Sequence, residues 1–339
     1  MKNEKLEKKI QMVHLQLTKR CNLNCWFCGQ RKKNWDGAVP VGELGTEQWL
    51  EVAAQLNDLK VPVKPCVMLW GGEAALSPAF IPVVKMLYEN GFSLGMVTNG
   101  TLLGKNEELI RKCFKKLYIS VDGDRQLHDS IRGKGVFEKI QRNIQNLRVA
   151  AQKGESIPEI ILMCVLTENS INKLPEILEA FSALHPDEVI LQDMISLEET
   201  EIIQYKKWFQ NCFRAEALEI DAWKGTDGSN EKRAKIGKYC EEYIKTKEFP
   251  YRLSYFPHFP AKEKPCCSSP FSHIHIGWNG AVSFCTDFTD FNCGYIQKES
   301  LEDIFFSEKA EIFRMEVLSG ACITCSHCSW RYKKDYSAL

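Results

Sequence analysis

The chain has 339 residues, 44% of them hydrophobic, enough to bury one large core and a smaller appendage. Lys plus Arg and Asp plus Glu both number 44, so no charge excess points to nucleic acid or an anionic membrane surface, and a peptide or small molecule is the expected substrate. Residues 1–10 are charged and lack an apolar signal core, and no apolar run reaches the ~20 residues that span a bilayer. Fifteen cysteines in such a chain imply metal clusters in a reducing compartment, and the expected location is cytoplasmic.

Six short runs rich in β-branched and aromatic residues alternate with longer amphipathic stretches, which predicts βα units around a parallel sheet. The first strand is expected at 12–17. It leads into Arg20-Cys-Asn-Leu-Asn-Cys-Trp-Phe-Cys-Gly29, which carries Cys21, Cys25 and Cys28 at C-x3-C-x2-C spacing. A helix at 46–58, capped by Thr46, repeats Trp49, Val52, Ala53 and Leu56 at helical spacing. The second strand, 66–70, ends in Gly71-Gly-Glu73. A helix at 79–90 leads to the third strand, 92–97, and Thr98-Asn-Gly100. A helix at 104–114 leads to the fourth, 116–121, and Asp122-Gly123. Helices at 135–153 and 170–183 flank the fifth strand, 159–166, and the sixth, 187–192, closes on Gln192-Asp193.

Beyond residue 193, helical stretches at 198–218 and 231–247 are separated by a turn-rich linker at 224–230. Asn279-Gly280 between Ile274-His-Ile276 and Ala281-Val-Ser-Phe-Cys285 predicts a hairpin that brings Cys267 near Cys285. Short helices at 300–305 and 308–318 precede the tail Cys322-Ile-Thr-Cys325-Ser-His-Cys328.

Active sites of βα barrels lie on loops at the carboxyl ends of the strands, and the polar clusters of this chain fall there, so one cavity is expected to collect them. Three thiols are one too few for a closed zinc site, whereas a cuboidal iron-sulfur cluster on three thiolates keeps one iron open. Three buried cysteines, or half a zinc site, are the alternatives.

The cysteine loop together with Gly71-Gly-Glu73 resembles the radical S-adenosylmethionine (SAM) superfamily, and the resemblance spans nearly the whole chain. It implies an α/β fold, an open partial (β/α)6 TIM-like barrel. It also implies a 4Fe-4S cluster on Cys21, Cys25 and Cys28 whose open iron chelates SAM. One electron from the cluster then yields methionine and a 5'-deoxyadenosyl radical, which demands a potential toward the negative end of the iron-sulfur range. By the same resemblance Gly71 and Gly72 expose backbone groups to the SAM amino group, and Glu73 hydrogen-bonds it. Phe27 sits over the adenine, or else packs inward as a loop aromatic. Asn99 ends the third strand among the SAM contacts. Ser120 and Arg132 match positions at the ribose and the methionine carboxylate, for which a guanidinium fork is suited. Leu191, or Gln192, lines the adenine pocket. Asp122 is expected to order its loop.

Gly280-x4-Cys285 with the distal C-x2-C resembles the SPASM or twitch extension, a small hairpin-plus-helix domain that holds auxiliary 4Fe-4S clusters. The full SPASM spacing is not met after Cys328, so one auxiliary cluster is expected, on Cys267, Cys285, Cys325 and Cys328 with Cys322 competing for a place and Cys266 a bystander. Zinc is the alternative occupant. Cys66, Cys113 and Cys164 read as core. Cys212, Cys240 and Cys293 are candidates to give a hydrogen atom to a substrate radical. His128, His273 and His275 read as structural, the last two with a supporting role toward the auxiliary cluster as the other option.

The resulting expectation is a barrel over 1–195, a helical linker region over 196–260 and a cluster domain over 261–339. The expected activity is hydrogen abstraction from a peptide or protein undergoing modification, fed by a flavodoxin- or ferredoxin-type reductant. Epimerisation or dehydrogenation of a sugar or aminoglycoside is the alternative, kept open by the absence of an evident leader-binding segment before the first strand. A non-catalytic iron-sulfur carrier is the third reading.

Overall fold

A computed structural model describes residues 7–30, 41–168, 170–225, 230–257, 267–287 and 289–328, with backbone alone at 230–233. Ten strands form one sheet in the order β10-β9-β8-β1-β2-β3-β4-β5-β6-β7. These are β1 (Met12–Gln16), β2 (Cys66–Trp70), β3 (Leu94–Thr98), β4 (Phe114–Ser120), β5 (Glu159–Leu166), β6 (Glu188–Asp193), β7 (Arg252–Phe256), β8 (His273–Ile276), β9 (Ala281–Ser283) and β10 (Gly294–Tyr295). From β8 through β7 every neighbouring pair is parallel, and the β8–β9 and β9–β10 pairs are antiparallel. The six expected strands are all present, in an α/β architecture with its crossover helices between them.

Those helices are α1 (Thr46–Asn57), α2 (Phe80–Glu89), α3 (Glu107–Cys113), α4 (Arg125–Arg132), α5 (Val136–Gln152) and α6 (Leu174–Ser182). They are followed by α7 (Glu199–Phe213), α8 (Asn230–Lys245), α9 (Ser269–Ser272), α10 (Leu301–Phe306) and α11 (Glu308–Ser319). Helix α1 buries Trp49, Val52, Ala53 and Leu56 as its spacing requires. Its cap is Gly45 rather than Thr46, with Gln48 Oε1 accepting from the Gly45 N–H at 2.9 Å. Helix α4 escapes the periodicity reading because only His128 and Ile131 of its eight residues are buried; Asp124 caps it by accepting from the Leu127 N–H at 2.8 Å.

Strand β7 lies inside the stretch read as a helical linker. Pro250 and Pro257 flank it, which suits a strand paired on one side only, here to β6 from Glu188↔Arg252 to Gln192↔Phe256. Strand β8 pairs in parallel with β1, Met12↔His273 through Leu15↔Ile276, so the C-terminal hairpin continues the barrel's own sheet.

Strand alternation divides the residues into two sets. Leu15, Val67, Leu117, Leu162, Val189 and Leu191 face the helices and belong to the main core. Met68, Tyr118, Ile161 and Ile190 face the barrel interior and fill its lower layer, with Val97, Met163 and Phe256 packed on them. One step of two residues along the same faces brings Trp70, Ser120 and Gln192 to the layer above, which is the cavity wall.

In the C-terminal part, Arg314 of α11 is 1% exposed and donates to Pro270 O at 2.8 Å, Phe305 O at 2.7 Å and Glu311 Oε1 at 2.5 Å. Its guanidinium lies 4.5 Å over Phe305 and 5.2 Å over Phe284. Arg314→Met keeps the stem but leaves buried carbonyls unpaired, a cost of about 3 kcal/mol. The expected outcome is a lower urea midpoint for the tertiary signal of this part; an unchanged midpoint contradicts the assignment.

Candidate functional site

The carboxyl ends of β1 to β6 and the β8–β9 turn surround one cavity of about 460 Å³. Cys21, Cys25, Cys28 and Phe27 line it from the loop after β1, Gly71 and Gly72 from the turn after β2, Asn99 from β3, Ser120 from β4, and Arg132 from the end of α4. The volume lies within the range of roughly 300–1,000 Å³ typical of ligand sites. The sequence placed these residues together, and the structure does so.

Two of the three thiols, those of Cys21 and Cys25, face donors. The Leu23 N–H reaches Cys21 Sγ at 3.4 Å, Asn99 Nδ2 reaches the same sulfur at 3.8 Å, and Arg132 Nη1 reaches Cys25 Sγ at 3.8 Å. Burial pushes the Cys25 thiol up to about 11 while the Arg132 charge pulls it down, so an apo thiol here stays protonated. A cluster bound here would need thiolates, and the donors aimed at Cys21 and Cys25 would stabilise two of them. Arg132 is itself held by Asp122, Nε to Oδ2 at 2.5 Å, and lies 5.7 Å from the Phe27 ring. Asp122 is fully buried and does not line the cavity; its other oxygen accepts from the Val165 N–H at 3.1 Å, which ties the β4 loop to β5.

The glycine turn is tight for a reason. Gly72 N–H donates to Thr18 O and Glu73 N–H to Arg20 O, both at 2.8 Å. A Cβ on Gly72 would lie 2.2 Å from Arg20 O, so no side chain fits between this turn and the cysteine loop.

Two expected contacts are placed differently. Leu191 is 0% exposed on the helix-facing side of β6, and Gln192, one residue on, lines the cavity instead. Glu73 is 1% exposed and turned away from the cavity: its oxygens accept from Thr98 Oγ1 at 2.9 and 3.0 Å and from the Asn99 N–H at 2.8 Å. It braces the end of β3 rather than facing a ligand. Cys212, Cys240 and Cys293 also lie outside the cavity lining. His275 lines it, while His273 stacks on His14 at 5.8 Å; neither lines the cysteine pocket described next.

A second, smaller cavity of about 50 Å³ is lined by Cys267, Cys285, Cys322, Cys325 and Cys328. Cys322 and Cys325 are hydrogen-bonded to each other, which holds the Cys322 thiol low and the Cys325 thiol high, and Cys325 also feels Cys267 and Cys285. The Cys328 thiol donates to Asp287 Oδ2 at 3.5 Å. Cys266 lies outside the described residues. His327, between the last two cysteines, is fully buried with Nε2 2.7 Å from Glu201 of α7. Thr286, Asp287 and Phe291 line both cavities and form the wall between them. Lys19, Trp70, Trp223 and Trp278 also line the larger cavity, as do the acids Asp193 and Glu219; nothing in the local sequence marks the first four, since their neighbours come from remote parts of the chain.

Burial lifts the Glu73 carboxyl from 4.5 to about 7, with the Asn99 and Thr98 hydrogen bonds opposing. A carboxyl whose pKa is raised on folding favours the folded state below its unfolded pKa, and this contribution is lost as pH rises through the folded value. The stability of the parent relative to Glu73→Gln is therefore expected to fall between pH 4.5 and about 7, by up to about 3 kcal/mol in denaturant titrations. A difference that does not change with pH contradicts this.

The radical SAM superfamily profile matches residues 15–180, and the profile of an iron-sulfur cluster-binding domain, SPASM, matches residues 266–329. A tungsten-containing aldehyde ferredoxin oxidoreductase cofactor-modifying protein from Pyrococcus furiosus is 24% identical over 96% of this chain and 89% of its own length. The sporulation killing factor maturation protein SkfB of Bacillus subtilis is 31% identical over 49% of this chain and 38% of its own length. The structure of Streptococcus suis SuiB bound to precursor peptide SuiA superposes with a TM-score of 0.65 at 15% identity, covering 97% of this chain and 74% of that one. The SPASM match answers the zinc alternative, and the modifying enzymes among the relatives answer the carrier reading. Among the described residues no helix is long and apolar enough to cross a membrane. The chain belongs to the radical SAM superfamily, as an enzyme with a SAM-binding 4Fe-4S cluster, SAM, and an auxiliary iron-sulfur cluster in a C-terminal SPASM domain.

Proposed function

We propose that this enzyme modifies a peptide or protein by hydrogen abstraction inside the larger cavity. The observation that supports the proposal is the shared wall of Thr286, Asp287 and Phe291, which sets the larger cavity beside both cysteine sets. The 4Fe-4S cluster, when bound, supplies the electron that cleaves SAM to methionine and a 5'-deoxyadenosyl radical.

The chain's own residues divide the remaining work. Cys21, Cys25 and Cys28 hold the SAM-binding cluster. Gly71 and Gly72 present backbone to the amino group of SAM, and Arg132, already oriented by Asp122, takes its carboxylate. Phe27, Ser120, Asn99 and Gln192 border the nucleoside. In the auxiliary set, Cys267, Cys285 and Cys325 are joined by Cys322, whose contact with Cys325 favours it, while Cys328 stays on Asp287. The SAM contacts thus come from residues before about 195 and the auxiliary thiols from residues after about 261, while 196–260 connect the two and add β7 to the barrel. A flavodoxin- or ferredoxin-type protein is the proposed reductant for the site held by Cys21, Cys25 and Cys28.

The names of SkfB and of the peptide-bound SuiB structure support a peptide substrate. A second reading, an organic cofactor as substrate, is favoured by one observation: the Pyrococcus relative that matches almost end to end is named a cofactor-modifying protein. Deuterium transfer separates them. A deuterated peptide encoded beside the gene, incubated anaerobically with reconstituted enzyme, SAM and dithionite, is expected to pass deuterium into 5'-deoxyadenosine. Unlabelled 5'-deoxyadenosine and an unchanged peptide, with label arriving only from a deuterated organic cofactor, would overturn the peptide reading.

A further inference from the structure

The cavity wall carries two cations that differ in how they are satisfied. Arg132 is committed to Asp122. Lys19 has no carboxylate at ion-pair distance among the described residues, although it lines the cavity. Its neighbours on both sides are fixed. Thr18 Oγ1 donates to Glu43 at 2.9 and 3.0 Å, and Arg20 Nη2 donates to the same carboxylate at 3.1 Å, so the Glu43 carboxylate is already engaged by both neighbours of Lys19. Thr18 O and Arg20 O are tied to the glycine turn.

The Lys19 ammonium lies 4.5 Å from the centre of the Trp278 ring. Trp278 is anchored in turn, its carbonyl accepting from the Leu44 N–H at 2.9 Å within the turn closed by Gly280 N–H to Gly277 O at 2.8 Å. A ring face orients an ammonium without neutralising it. Gln16 and Asn279 line the same cavity, with Gln16 Oε1 and Asn279 Oδ1 lying 3.8 and 3.3 Å from where a Cβ on Gly277, the residue before Trp278, would stand; Asn279 Oδ1 accepts from the Ala281 N–H at 3.2 Å. The place is the β1–β8 seam, with β2 and β3 between it and the β4 side that carries Arg132.

We propose that Lys19, on its Trp278 platform in the cavity wall, is a substrate subsite that takes a carboxylate of the peptide, an Asp or Glu side chain or a C-terminus. One ammonium matches the single negative charge of a carboxylate, and inorganic phosphate is the competing anion that the test includes. The assignment rests on the peptide reading above and names what that peptide must carry.

The test is a lysine footprint on the cluster-reconstituted, SAM-loaded enzyme. Acetylation of Lys19 by an amine-reactive ester is followed by peptide mass spectrometry, with exposed lysines as the internal reference. Acetyl-Gly-Glu-Gly-amide at saturation is expected to slow Lys19 labelling about tenfold, and the Gln counterpart to leave it unchanged. In equilibrium dialysis Lys19→Arg is expected to keep the preference for the Glu peptide and Lys19→Met to lose it. Protection by glutarate but not by the Glu peptide would keep the carboxylate subsite and count against the peptide substrate. Equal protection by both peptides, protection by inorganic phosphate alone, or protection by SAM alone would overturn the proposal, the last because Lys19 would then belong to the cofactor.

Discussion

The parallel pairing of β8 with β1 is the constraint on which the rest of the site depends. A partial barrel leaves its first strand with an unpaired edge, and here the C-terminal hairpin fills it in register from Met12↔His273 to Leu15↔Ile276. Because the two strands run the same way, their carboxyl ends open on the same side. The three-cysteine loop leaves β1 and the turn toward Cys285 leaves β8, so two segments remote in sequence border one cavity. An antiparallel pairing would have sent the hairpin's turn to the opposite end of the barrel.

From that seam the electrostatics of the site follow. The interior layer below the cavity is apolar, made by Met68, Tyr118, Ile161 and Ile190, and charges at the strand ends are poorly solvated. The chain meets this by pairing them at short range: Asp122 with Arg132, Asp193 with the Tyr255 hydroxyl at 2.8 Å, Glu73 with Thr98 and the Asn99 backbone. The backbone of the loops is held by carboxylates, and the Cys21 and Cys25 thiols face donors, an arrangement organised before any ligand arrives.

What the sequence made legible was the chemistry that restricts residue type. Three thiols at fixed spacing, paired glycines after a strand and an arginine fork have few substitutes, and all of them line the cavity. Orientation was less legible. Leu191 and Gln192 are adjacent, and which faces inward depends on registers such as Leu191↔Tyr255 and Gln192↔Phe256, set by a strand read as linker. Glu73 turned away from the cavity because Thr98 and Asn99 offered it three hydrogen bonds, a competition invisible within its own turn. Trp278 gave no local sign of meeting Lys19, since their contact exists only through the β1–β8 seam.

The central claim is that the two cysteine sets serve one substrate cavity with separate tasks, the first cleaving SAM and the second acting on the substrate. It is tested most directly by the Cys267→Ala/Cys285→Ala enzyme, shown by circular dichroism to be folded and by analysis to hold about four iron atoms instead of about eight. In the presence of dithionite and SAM this variant is predicted to release 5'-deoxyadenosine while substrate conversion is lost. Conversion at the parent rate in the folded variant lacking the auxiliary cluster would contradict the account.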